Sequence, residues 1–157
     1  MDRFARWFVI SALGYLLIGG ALGTWMVHVP DTRGSYRWPH LHLMVLGFVV
    51  MMIFGVAYHV LPRFSGNVLW SQKLGWVHFV AAQLGLLGMI GSWVMHAQSA
   101  FAEGSAWVTV LTASSDLEYL GMWLFVVNIA MSLRHKPKPA WLPPAPAAVG
   151  QPQGVAR

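Results

Sequence analysis

The run RWPHLHLMVLGFVVMMIFGVAYHVLPRFSG, residues 37–66, carries His40, His42 and His59 in a segment otherwise apolar enough to cross a bilayer. Four more histidines, His28, His78, His96 and His135, bring the total to seven. Imidazole is a common metal ligand, and ionisable groups within a membrane are costly enough that they usually mark function. Near the end of a span the signal is weaker, because the interface tolerates imidazole. There is no cysteine, which excludes disulfides, thiolate metal sites, Cys nucleophiles and covalent c-type haem attachment. The carboxylates Asp31, Glu103, Asp116 and Glu118 are all expected outside the hydrocarbon core. Imidazole-only ligation then suits haem iron or copper. Nine methionines offer soft copper ligands, but Met44, Met51 and Met52 lie within an apolar helix, where packing is their ordinary role.

The elements that must position these histidines follow from composition. Of 157 residues, 57% are hydrophobic and only 10% charged, against about 25% charged in soluble domains. At roughly 20 residues per crossing, an all-α membrane protein is expected, a bundle of four transmembrane helices in one domain, residues 1–135. The first span covers about 4–27. Its basic start, apolar core and small residues near Ala21-Leu22-Gly23 resemble a signal peptide, yet the apolar run is long enough to span. The second covers about 40–61, delimited by Pro39 and Pro62, which disfavour helix continuation. The third covers 74–95. Ser115-x-x-Glu118 reads as a capping box that starts the fourth, 115–134, leaving 97–114 as a long connection. The Pro- and Ala-rich tail, 136–157, is expected to be extended.

With a cytoplasmic N-terminus, Arg3, Arg6, Arg63, Lys73, Arg134, Lys136, Lys138 and Arg157 all lie inside, and Arg33 and Arg37 outside. The positive-inside rule therefore places both termini in the cytoplasm. The net charge of +5 reports topology and not a nucleic-acid surface. Gly19-x-x-x-Gly23, and Gly85, Gly88 and Gly91, would let helices approach closely. Gln83, Ser92 and Asn128 are the interior polar groups, and no buried carboxylate chain suggests a proton relay.

In this topology His28, His40, His42 and His96 gather near the outer end, and His59 and His78 near the inner end. At about 100° per residue, His40 and His42 point about 200° apart and cannot ligate one haem from the same side. They can serve two environments on opposite faces. His78 and His96, five turns apart, share a face about 27 Å apart along the axis. The pairing expected is His42 or His40 with His96 on the outer side, and His59 with His78 on the inner side.

The stretch HLHLMVLGFVVMMIFGVAYHVLPRFSG resembles a helix of the large subunit of haem–copper oxidases and nitric-oxide reductases. There an H-x-H pair opens an apolar helix, a Gly follows five residues after the second His, and Pro-Arg follows twenty after it. Here these are His40, His42, Gly47, Pro62 and Arg63. The flanking segments GALGTWMVHVPDTRGS and KLGWVHFVAAQLGLLGMIGSW are also similar, so the chain resembles the last four helices of a twelve-helix subunit. The resemblance implies that His40 faces a high-spin haem and His42 a low-spin haem, both b-type, with Arg33 and Arg37 at the depth of the propionates. It also implies a multi-pass protein of a bacterial-type inner membrane, and a periplasmic electron donor or a quinone as partner. The family's other metal ligands sit on earlier helices that have no counterpart here. A sixth ligand must come from His96, His28 or a second subunit, which favours a homo-oligomer or a larger membrane complex. Three functions stay open: a b-type cytochrome for electron transfer; a copper- or nitric-oxide-handling membrane protein; a cofactor-free assembly subunit. Any catalysis would be haem-dependent oxidoreduction of a small gas such as O2 or NO, with partner subunits.

Overall fold

The computed structural model describes residues 2–96 and 106–134, and these form four long helices with no strand among them. They are α1 (Arg3–His28), α2 (Pro30–Phe64), α3 (Gln72–His96) and α4 (Ala106–Arg134). Each is long and apolar enough to cross a membrane. In a bilayer core no water can satisfy backbone amides, so helices that close their own hydrogen bonds are the stable solution for such sequences. Side-chain placement follows the same logic. Leu17, Ile18, Ile53, Leu84 and Val126 face outward, while His78, Ser92, Glu118, Asn128 and Ser132 are buried. The core is aromatic, built from Phe4, Phe8, Tyr15, Phe54 and Tyr58, with Met51 and Leu86.

α1 packs along the whole of α2, and α3 and α4 form the most extensive helix pair. α2 also reaches α3 and α4, whereas the backbones of α1 and α4 do not approach closely among the described residues. Small residues permit the close approaches. A Cβ at Gly19 would lie 2.8 Å from Met44 Sδ, and one at Gly85 would lie 2.9 Å from the backbone nitrogen of Glu118. Gly91 has open space around it and carries no such contact.

Two boundaries differ from the expectation. α2 does not stop at its prolines: Pro39 and Pro62 both lie inside it. The helix opens with a short 3-10 turn at Pro30–Thr32 and widens into π-type turns over Leu43–Val50 before returning to α geometry. Pro39 lacks an N–H, and its buried ring is held by tertiary packing, so the irregularity is absorbed by this altered winding instead of ending the helix. α4 begins at Ala106, nine residues before Ser115. Ser115 therefore caps nothing, and its hydroxyl donates to the Leu111 carbonyl one turn back. Glu118 lies mid-helix and is only 3% exposed, the reverse of the expected position outside the hydrocarbon core. Residues 97–105 and the tail 136–157, with His135, lie outside the described residues.

Candidate functional site

α2 brings His40 and His42 to different surroundings. His40 turns toward α1, where its Nδ1 donates to the Gly19 carbonyl at 3.0 Å. Its ring lies on Gly23, where a Cβ would come within 2.8 Å of His40 Cε1. His42 Nδ1 donates to the carbonyl of Trp38, one turn earlier in the same helix, at 2.8 Å. A carbonyl can only accept, so each Nδ1 must carry the proton, and in the neutral ring Nε2 then keeps its lone pair. Metal-bound imidazoles are commonly held this way, the other ring nitrogen donating to a carbonyl that fixes tautomer and orientation.

Each imidazole borders its own open depression. His40 lines one of about 260 Å³ with Gly23, Met26, Val27, Arg33 and Arg37. His42 lines another of about 310 Å³ with Trp38, Leu41, Val45 and Leu46. Ligand sites usually enclose about 300–1,000 Å³, so each depression has the scale of part of a site. Arg33 is engaged at the end of α1, its Nε donating to the Met26 carbonyl at 3.0 Å and an Nη to that of Val27 at 3.2 Å. The Arg37 guanidinium stands 6.0 Å from the Trp38 ring centre. His28 ends α1 and is exposed.

The backbone of α3 sets the level of His96. Trp38 and Trp93 stack with centroids 5.7 Å apart, which fixes the first turns of α2 against the last turns of α3. Because the helices are antiparallel, His42 and His96 lie on opposite sides of that stack, about 10 Å apart along the axis.

The inner pair does not form. His78 is wholly buried, and its Nδ1 is hydrogen-bonded to the Tyr58 hydroxyl at 3.0 Å. Phe8, Phe54 and Phe125 pack around the ring at 4.8, 4.6 and 5.7 Å. No hydrogen bond or ring contact joins His78 to His59. Tyr58 and His59 are consecutive and about 100° apart on the helix, so when Tyr58 faces α3 its neighbour turns away. His59 Nδ1 is buried without a partner among the described residues, beside the Arg63 side chain, which donates to the His59 carbonyl. Tyr58 reaches a cavity of about 230 Å³ at this end of the bundle, lined also by Asp2, Arg63, Asn67 and Gln72.

Sequence reasoning missed Glu118 as an interior group. The signal was there: Ser114, Glu118, Gly121, Phe125, Asn128 and Ser132 recur in alternating steps of four and three, the spacing of a helix–helix seam. Among the described residues, no three of His, Asp or Glu come together as a metal-binding group.

This is a multi-pass membrane bundle whose histidines sit at helix margins and in its core. It is similar to the alternative cytochrome c oxidase subunit 1 of Bradyrhizobium diazoefficiens, with 28% identity over 147 residues, 83% of this chain and 24% of that protein. The chain thus spans about a quarter of the length of that curated relative. No family model matches the chain, and no solved structure matches it. A distant relationship to haem–copper oxidase subunits is supported, on a membrane protein of four apolar helices.

Proposed function

We propose that this chain is a membrane cytochrome of b type, in which the Nε2 atoms of His40 and His42 ligate non-covalent haem on opposite faces of α2. The observation that carries the proposal is that both imidazoles are held from behind in the same way. Both Nδ1 atoms donate to backbone carbonyls, at 3.0 and 2.8 Å, which leaves both Nε2 lone pairs for iron. Haem when bound supplies one-electron redox chemistry, and the protein's part is axial ligation, orientation and electrostatics. Arg33 and Arg37, beside His40, offer guanidinium groups to the propionates.

His96, His28, a second copy of this chain or another subunit of a respiratory complex would complete the surroundings of each haem. The small, open depressions favour that completion. The chain would lie in a bacterial-type inner membrane with both termini cytoplasmic and the two histidines near the outer face. Electrons would come from a periplasmic donor or a quinone. Copper bound by side chains needs several donors at one point. Haem needs a single imidazole per face, which is what α2 offers.

The test is a reduced-minus-oxidised absorption spectrum of the purified wild type beside His42→Ala, His40→Ala and His96→Ala. A bis-imidazole haem gives a sharp Soret band with reduced α and β bands, and His42→Ala is expected to lose or convert that signal. An unchanged spectrum in His42→Ala overturns the ligand assignment. A colourless protein with stoichiometric copper overturns haem binding, and a colourless protein without metal leaves an assembly role.

A further inference from the structure

One face of α4 turns a line of polar residues inward. Ser114, Glu118, Gly121, Asn128 and Ser132 are buried against the rest of the bundle, while Tyr119, Trp123, Val126 and Val127 face outward. From Ser114 to Ser132 the buried line runs about 27 Å, close to the roughly 30 Å of a bilayer's hydrocarbon core. On α3 it is faced by Ser92, Gly88, Gly85 and His78. The Ser92 hydroxyl donates to the Gly88 carbonyl at 2.8 Å, Gly88 lies against Ser114, and Gly121 lies against His78. Most members of the line have partners. Ser132 donates to the Asn128 carbonyl, and Asn128 pairs twice with the Ser71 backbone.

Glu118 is the exception. It is 3% exposed, and both carboxyl oxygens are buried with no hydrogen-bond partner among the described residues. A Cβ at Gly85 would lie 2.8 Å from Glu118 Oε2, so the acid is pressed against the α3 backbone. The ionisable groups around it are few. From α1, Tyr15 interacts with it electrostatically, its hydroxyl donating to Gln83. His78 on α3 and Tyr58 on α2 lie beyond Gly121, toward the other end of the bundle. Asp116, on α4 itself, is exposed and about 200° round the helix. None of these is a cation able to pair with a carboxylate here.

An isolated carboxylate in an apolar interior is far more costly than the neutral acid, and such groups hold a proton instead. We propose that Glu118 is a proton-binding site within the membrane-spanning bundle, seated at the Gly85–Gly88 face of α3 and one turn from the Ser114 end of a buried polar line. The ligand is a proton. The site does not depend on haem.

The chain has two glutamates, Glu103 and Glu118. In full-length Glu103→Gln protein labelled with 13C-carboxyl glutamate and reconstituted in lipid, Glu118 is the sole labelled acid. Infrared spectra at pH 7 are expected to show its protonated carbonyl band, shifted down in D2O. A labelled carboxylate band at that pH overturns the proposal. Dicyclohexylcarbodiimide, a lipid-soluble reagent, adds to a protonated carboxyl to give an O-acylisourea. This rearranges to an N-acylurea with nothing lost. Peptide mass mapping is expected to find the adduct on Glu118 and to lose it in Glu118→Gln. Should Glu118→Gln fail to fold, the infrared measurement, made on the intact side chain, still decides.

Discussion

α2 and α4 both thread polar side chains through an apolar helix, and they do so in opposite senses. On α2 the imidazoles of His40 and His42 each spend one nitrogen on a backbone carbonyl and border open depressions at the helix margin. On α4 one line of polar residues turns inward, where Asn128 and Ser132 meet partners and the Glu118 carboxyl stays unpartnered among the described residues. In a bilayer, packing between helices gains little from burying more hydrocarbon, because lipid is as apolar as leucine; small residues and interhelical hydrogen bonds hold the pair instead. The α3–α4 half therefore reads as the structural half, held by glycines and amides. The α1–α2 half instead carries two imidazoles beside open depressions.

The comparison breaks first at Gly85. There a Cβ would meet the backbone nitrogen of Glu118 at 2.9 Å, which cannot swing aside. Gly85→Ala is expected to cost about 1–3 kcal/mol, read as a loss of thermal stability in detergent. Gly20→Ala on α1, with nothing within 4 Å, should be neutral in the same assay. Equal effects at the two positions would remove the distinction between a packed seam and a lipid-facing helix. Next is Asn128→Ala. Asn128 accepts from the Ser71 amide at 3.1 Å and donates to its carbonyl at 2.9 Å, tying α4 to the turn before α3. Stranding those groups should cost about 2 kcal/mol. Smaller again is Trp38→Ala, which removes the Trp38–Trp93 stack between α2 and α3. A loss of about 1 kcal/mol is expected for an aromatic pair.

How much of this was legible before the fold was known differs by helix. Four spans, the interior placement of Ser92 and Asn128, and the opposite faces of His40 and His42 follow from hydropathy and helical period. The close approaches at Gly19, Gly23, Gly85 and Gly88 follow from residue size. Pro39 misled because local proline rules say nothing about packing that holds a helix together through a proline. Ser115 and Glu118 misled because a capping box is a local pattern, whereas the four-and-three seam that buries Glu118 becomes meaningful only against α3. The inner histidine pair failed for a similar reason. Depth along the membrane placed His59 and His78 together, but rotation about α2 set Tyr58, not His59, opposite His78.

The smallest effect in energy is also the one that best separates the two histidines. Gly23 seats the His40 ring, and the nearest atom to an added Cβ is Cε1 at 2.8 Å, on a side chain that can swing. Gly23→Ala should therefore cost under about 1 kcal/mol, mostly through the strained hydrogen bond to the Gly19 carbonyl. The same change displaces His40 Nε2 from the depression it shares with Arg33 and Arg37, and it leaves His42 and its bond to Trp38 untouched. If each imidazole ligates a separate haem, Gly23→Ala alters only the spectral component that His40→Ala removes, and the His42 component keeps its band positions and potential. If the two histidines serve one centre, a single spectrum shifts as a whole. A redox titration of the variant beside His40→Ala distinguishes these outcomes, because an axial ligand moved off its line to the iron changes spin state and potential before it changes stability.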